Sequence, residues 1–268
     1  MSAPTEVAAR EAPATRHHGE VDVMGTVVTL DCYVDSATTR DELEGSFDAA
    51  IQLLFDADET FSLWKPESPM SRVRSGALRL SDAPGAVREV LDACEVARAA
   101  SGGWFDPWAL RGGVDPTGYV KGWAAQRALA PFAAIGALGA VVNAAGDVAT
   151  FGVPARGQRF RVGIADPAAT RRLACVVTVE GGVATSGTYE RGDHLINPHS
   201  SEHAAVVASA TVCGPDLGLA DALATALCVG GDEVLTLLEA LAGYEGLVIG
   251  FDGTWSRTAA FPFAPDAR

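Results

Sequence analysis

The sequence predicts an α+β fold: one domain with a mixed or antiparallel sheet and flanking helices. Three observations carry this expectation. The 268 residues are 48% hydrophobic, enough to bury a sizeable core, and the length sits at the upper end of what one domain holds. Long amphipathic segments fill the N-terminal half, whereas short β-branched runs dominate the C-terminal half. Strands and helices do not alternate in the units that build a doubly wound parallel sheet. No internal repeat or low-complexity block divides the chain.

Residues 1–19 read as a disordered tail, because their few apolar side chains are small and follow no period; the domain proper is expected over residues 20–268. Residues 20–34 alternate or run β-branched and predict a strand. Residues 39–60 predict a long helix, with Leu43, Phe47, Ala50, Ile51, Leu54 and Phe55 at helical spacing and acids near its start. Pro84 opens a second helix through Val87, Val90, Leu91 and Cys94, and Gly102-Gly103 closes it. Glycine there lets the backbone turn left-handed and come close to a ligand. After a turn-rich stretch over residues 111–118, a third helix is predicted over 119–132. Strands are predicted over residues 140–143, 160–164, 174–179 and 206–213, helices over 217–229 and 232–241, and strands over 246–250 and 255–257.

A formal charge of −14 and a pI near 4.7 argue against nucleic-acid partners, which need a basic face to displace phosphate counterions. They argue equally against anionic membrane surfaces. The five cysteines are an odd number with no Cys-x-x-Cys pair, which predicts buried free thiols in a reducing compartment. Residues 1–20 carry no apolar signal region, so the expectation is cytoplasmic residence.

The most informative segment is Leu219-Ala220-Asp221-Ala222-Leu223-Ala224-Thr225-Ala226-Leu227. Asp221 and Thr225 lie one helical turn apart and share a face. An ionised Asp in an apolar helix needs a partner, and a carboxylate beside a hydroxyl suits a hard cation such as Mg²⁺. The same pair also fits a Thr bonded back to its own backbone, the commoner arrangement when spacing alone is considered. Residues 115–121 form a Gly- and Pro-punctuated turn opening into a helix. Helix N-termini offer free amides and a positive dipole end to phosphate, and Lys121 adds a full charge; an ordinary capped surface helix would look alike. Trp104, Phe105 and Asp106 follow the Gly102-Gly103 turn, either as anchors pinning a loop or as a ligand platform. His194 stands in a polar loop, where a solvated side chain is commoner than a catalyst. His199 and His203 are four apart, but Pro198 and two serines oppose the helix a zinc pair would need. No dinucleotide-binding glycine fingerprint, P-loop or serine nucleophile elbow is present.

The ordered segments Met24-Gly25-Thr26, Phe61-Ser62-Leu63-Trp64 with Ser68 and Ser71-Arg72, Gly103-Trp104-Phe105-Asp106-Pro107, Asp115-Pro116-Thr117-Gly118-Tyr119-Val120-Lys121-Gly122, Asn143-Ala144-Ala145-Gly146-Asp147, Ala184-Thr185-Ser186-Gly187, His194-Leu195-Ile196-Asn197-Pro198 and the Asp221 segment together resemble the ApbE family of flavin transferases. The resemblance runs from about residue 23 to the C-terminus. It implies a two-lobed, T-fold-like domain. It also implies FAD contacts at Met24, Trp64, Trp104, Phe105, Asp106, Asp115 and Lys121, and Mg²⁺ ligation by the Gly118 carbonyl, Asp221 and Thr225. The expected activity is Mg²⁺-dependent transfer of FMN from FAD to a Thr or Ser of an acceptor protein, with AMP released and His194 as catalyst. Acceptors of the family present an Asp-x-x-Ser/Thr-Gly-Ala-Thr/Ser-like segment. In this chain Ser75-Gly76-Ala77 lacks the Asp, so self-modification is not indicated. Alternatives are an FAD pyrophosphatase giving FMN and AMP, or a non-catalytic flavin-binding protein. The sequence departs from the family pattern at Trp64, commonly Tyr, at Asn197-Pro198, usually Asp-Pro, and at Ser200-Ser201, in the region of the usual Thr-Gly. Many family members are exported lipoproteins, which the N-terminus of this chain does not resemble.

Overall fold

The computed structural model describes residues 14–109, 112–187, 196–200 and 205–265. Its strands are β1 (Thr15–Val23), β2 (Thr26–Val34), β3 (Gly139–Ala144), β4 (Asp147–Gly152), β5 (Phe160–Asp166), β6 (Ala169–Val179), β7 (Gly182–Gly187), β8 (Ser209–Gly214), β9 (Glu245–Ile249) and β10 (Trp255–Arg257). Its helices are α1 (Arg40–Phe61), α2 (Pro69–Arg74), α3 (Gly85–Ala100), α4 (Thr117–Arg127), α5 (Ala130–Ala134), α6 (Leu217–Gly230) and α7 (Asp232–Ala240). Eight strands form one antiparallel sheet in the order β1-β2-β3-β4-β7-β8-β9-β10, and β5 and β6 pair separately as a ribbon. The expected α+β class and antiparallel sheet are those of the structure.

Side-chain alternation gives each sheet face its own core. Val28, Leu30, Val142, Ala149, Ala184, Val212 and Val248 face the helices and join the larger core. Val183, Cys213 and Leu247 point the other way and pack beneath Ile164, Cys175, Val177 and Val179 of the ribbon, with Phe261 closing that smaller core. Helices α4, α5 and α6 lie against the sheet, and α1 and α3 pack on them. In α6 every residue except Leu219, Thr225 and Gly230 is buried, as a helix apolar on all sides must be.

Local chemistry explains where the elements begin and end. Thr39 caps α1 through a reciprocal box: its hydroxyl accepts from the Glu42 N–H (3.3 Å), and the Glu42 carboxylate accepts from the Thr39 N–H (2.9 Å). The buried stripe Leu43, Ser46, Ala50, Leu54, Ala57 and Phe61 then follows the helical period. Ser68 caps α2, and the Ser68 and Ser71 hydroxyls donate to the Ser62 carbonyl at 2.6 and 3.1 Å, which accounts for the spacing of the Phe61–Arg72 segment.

Several expectations require correction. The strand expected over residues 20–34 is a hairpin, broken at Met24 (φ 54°) and Gly25 (φ 71°), the two positive angles that match a tight turn to strand twist. Strand β1 begins at Thr15, within the stretch expected to be a tail, because backbone pairing from Thr15 to Val23 with β2 holds a segment that is not apolar. The helix expected over 119–132 is two helices: Pro131 near the start of α5 lacks the N–H a continuous helix would need. Strands β4 and β7 and helix α2 were not expected.

Candidate active site

The site lies at one end of the sheet, on its helix-facing side, where α4 and α6 meet the start of β4 and the end of β7. These two helices approach closely because small residues face each other: a Cβ on Gly122 would lie 2.4 Å from the Leu217 carbonyl oxygen, and one on Gly218 would lie 2.8 Å from the Tyr119 ring.

Asp115 ends the turn leading into α4. One of its oxygens accepts from the Thr117 N–H (3.0 Å) and hydroxyl (2.6 Å), and the other from Arg74 of α2 (3.4 Å). Lys121, one turn into α4, forms an ion pair with Asp147, the first residue of β4. Asp147 is 1% exposed, and its second oxygen accepts the Thr185 N–H of β7 at 3.2 Å. Asp221 of α6 is buried and accepts the Gly122 N–H at 3.2 Å. A regular α-helix commits that amide to the carbonyl four residues earlier, so Asp221 competes with the Gly118 carbonyl for one proton. Thr225, one turn beyond, places its hydroxyl 3.3 Å from that of Ser186. A Cβ on Gly118 would be 3.6 Å from the Thr225 Oγ1 and 3.2 Å from the Phe105 ring.

Gly118, Asp221 and Thr225 are thus brought together, with Lys121 on the adjoining turn of α4. The donors are carboxylate, hydroxyl and carbonyl oxygens, the set a hard cation takes. Among the described residues no group of three His, Cys, Asp or Glu is gathered to hold a metal. Among the described residues the buried carboxylates Asp147 and Asp221 lie about the Lys121 turn of α4, and buried charges of this kind are held by charged or hydrogen-bonding partners.

The other expected FAD-contact residues play identifiable local parts. Phe105 is buried against Gly118. Trp104 packs its edge on His199, with ring centroids 4.6 Å apart, and covers Gly230, where a Cβ would come within 2.6 Å of the indole. Asp106 accepts from Arg98 (2.8 Å) and from the Trp108 N–H (2.9 Å), fixing the loop it begins. Met24 occupies the strained turn position between β1 and β2, at the same sheet end as the Ala145-Gly146 turn that precedes Asp147. Trp64 is 95% exposed, with almost none of its large ring packed on the protein. His194 lies outside the described residues.

Sequence reasoning did not single out Asp147 or Ser186 as site residues. The signal for Asp147 was an acid directly after a Gly turn at the head of the apolar run Val148-Ala149, where a buried carboxylate must find a partner. Ser186, which no nucleophile elbow frames, stands beside Thr225. A cleft of about 770 Å³ between β1 and the start of α1, lined by His17, Glu20, Leu43 and Phe47 among others, contains none of the site residues.

An antiparallel sheet layered with helices carries this polar site at one end, and the family model that the chain matches places it among the flavin transferases. The chain belongs to the ApbE family, whose model matches residues 109–248. Its fold is similar to that of the flavin transferase ApbE from Vibrio cholerae, with a TM-score of 0.80, 18% identity, and coverage of 93% of this chain and 99% of that one. The apo flavinyl transferase ApbE from Pseudomonas stutzeri gives a TM-score of 0.78, 21% identity, and coverage of 93% and 96%. The ApbE protein from Thermotoga maritima gives a TM-score of 0.77, 20% identity, and coverage of 91% and 97%. No curated protein matches the chain by sequence.

Proposed function

We propose that this protein is a Mg²⁺-dependent FAD:protein FMN transferase. The observation that carries the reading is the meeting of Gly118, Asp221 and Thr225 beside the Lys121–Asp147 pair, in a chain of the ApbE family. The Gly118 carbonyl, Asp221 carboxylate and Thr225 hydroxyl would hold Mg²⁺, which supplies charge neutralisation at a pyrophosphate when bound. Lys121 and the first turn of α4 face the FAD pyrophosphate with an ammonium and backbone amides. Asp115 and Asp106 fix the turns around it, Trp104, Phe105 and Met24 bound the flavin, and the unpacked ring of Trp64 offers a stacking surface.

In the reaction, a Thr or Ser hydroxyl of the acceptor attacks the FMN-side phosphorus. The new O–P bond forms as the bond to the bridging oxygen breaks, AMP leaves with that oxygen, and the hydroxyl proton passes to His194. Positioning and charge neutralisation supply most of such a phosphoryl transfer. The acceptor carries an Asp-x-x-Ser/Thr-Gly-Ala-Thr/Ser-like segment. The proposed setting is the cytoplasm, a reading supported by five cysteines that are all buried free thiols; among the described residues no helix is long and apolar enough to cross a membrane.

The test is incubation of the purified protein with FAD, Mg²⁺ and an acceptor peptide. Covalently flavinylated peptide and stoichiometric AMP are expected. AMP without labelled peptide would make the protein a pyrophosphatase, and FAD left intact with every acceptor would make it a flavin binder.

A further inference from the structure

We propose that Asp147 is a positioning residue for flavin transfer, fixing Lys121 and the end of β7 as one unit against the pyrophosphate. The inference rests on the transferase reading above and deepens it. Asp147 follows the tight turn Ala145 (φ 52°) and Gly146 (φ 95°), itself tied by the Asn143 side chain accepting the Gly146 N–H at 2.8 Å. The backbone that carries the carboxylate is therefore set before its side chain makes any contact.

The two carboxylate oxygens divide between two elements. One receives the Lys121 ammonium of α4, and the other receives the Thr185 N–H of β7 at 3.2 Å. Thr185 precedes Ser186, whose hydroxyl stands 3.3 Å from Thr225. One side chain thus joins the proposed phosphate-binding lysine to the strand end that flanks the proposed metal ligand Thr225. A lysine on its flexible four-carbon stem is a poorly aimed charge until a partner fixes it. A charge held in place before substrate arrives needs no reorganisation during reaction. The carboxylate is 1% exposed, so solvent does not compete for its oxygens.

The chain holds two lysines, Lys65 and Lys121, and Lys65 pairs elsewhere, with Asp58 and Glu59 of α1. Lysine labelled with ¹³C at Cε therefore gives one signal from the site and one internal control. In Asp147→Asn, which keeps the shape and an acceptor for Thr185 but not the charge, the Lys121 signal should move and the Lys65 signal should stay. FAD affinity, read by flavin fluorescence quenching with Mg²⁺ chelated, should fall on the order of 10- to 100-fold, the scale of a misplaced binding group, and Asp147→Glu should recover part of it. If Asp147→Asn does not fold, Asp147→Glu keeps the charge and should fold with a moved Lys121 signal and an intermediate loss of affinity. An unmoved Lys121 signal, or wild-type FAD affinity, in whichever of the two variants folds would overturn the proposal. Wild-type protein without FAD affinity would instead overturn the transferase reading itself.

Discussion

Asp221 holds the backbone of one helix through the Gly122 amide, and the cation proposed for its charge is a separate duty, so the two can be tested apart. Asparagine keeps an acceptor for the Gly122 N–H while removing the charge. Asp221→Asn is therefore expected to fold and to lose Mg²⁺ affinity, measured by calorimetric titration in the presence of an FAD analogue; unchanged affinity would remove Asp221 from the ligand set. Lys121→Ala differs, because its partner Asp147 is buried. Alongside weaker FAD binding it should lose about 3–5 kcal/mol of stability, the cost of leaving a buried charge unpaired, and urea titration will show whether it does. For His194 the expectation is kinetic: alanine should keep FAD affinity and lose about 10²- to 10⁴-fold in transfer rate, the usual contribution of a base to a weak hydroxyl nucleophile. Near-normal transfer onto an acceptor peptide would assign that proton to another group.

At the scale of elements, the site depends on how closely α4 and α6 approach. Gly122→Ala would drive a methyl group to 2.4 Å from the Leu217 carbonyl, so the helices must part. Overpacking of this kind costs about 1–3 kcal/mol, and the separation should also displace Asp221 from α4. The expected result is a lower melting temperature together with reduced Mg²⁺ affinity. Thr39→Ala is the contrasting case. It removes the capping box of α1, worth about 0.5–2 kcal/mol, and touches no site residue, so stability should fall while FAD affinity stays within twofold. The elements themselves were unevenly legible. Helix α1 and strand β10 could be read because the period of one and the flanking turns of the other are local signals. Strands β4 and β7 could not, since Asp147-Val148-Ala149-Thr150 and Ala184-Thr185-Ser186 are short, rich in small residues, and become strands through pairing with distant neighbours.

For the whole molecule, burial of all five cysteines makes a prediction about alkaline pH. Burial raises the thiols of Cys32 and Cys175 to about 11 and those of Cys94, Cys213 and Cys228 to about 12, from an ordinary value of 9.0. Below the unfolded value both states keep the proton and the thiols do not alter the balance. Above it the unfolded chain ionises first, so stability should fall as pH rises from about 9 toward 12. Urea midpoints measured in reductant across that range will test this, and native protein at pH 8 should react with a thiol reagent far more slowly than unfolded protein. The sequence by itself determined the α+β class, the helical face shared by Asp221 and Thr225, and the family, because composition, period and short ordered motifs are properties of the chain read locally. The tertiary structure alone decided that Gly118 lies against Thr225, that Asp221 takes the Gly122 amide, and that Asp147 is the partner of Lys121. Those contacts join residues 26 to 107 positions apart, and a separation of that kind is closed by the packing of α4 and α6 on the sheet, for which a linear sequence carries no local signal.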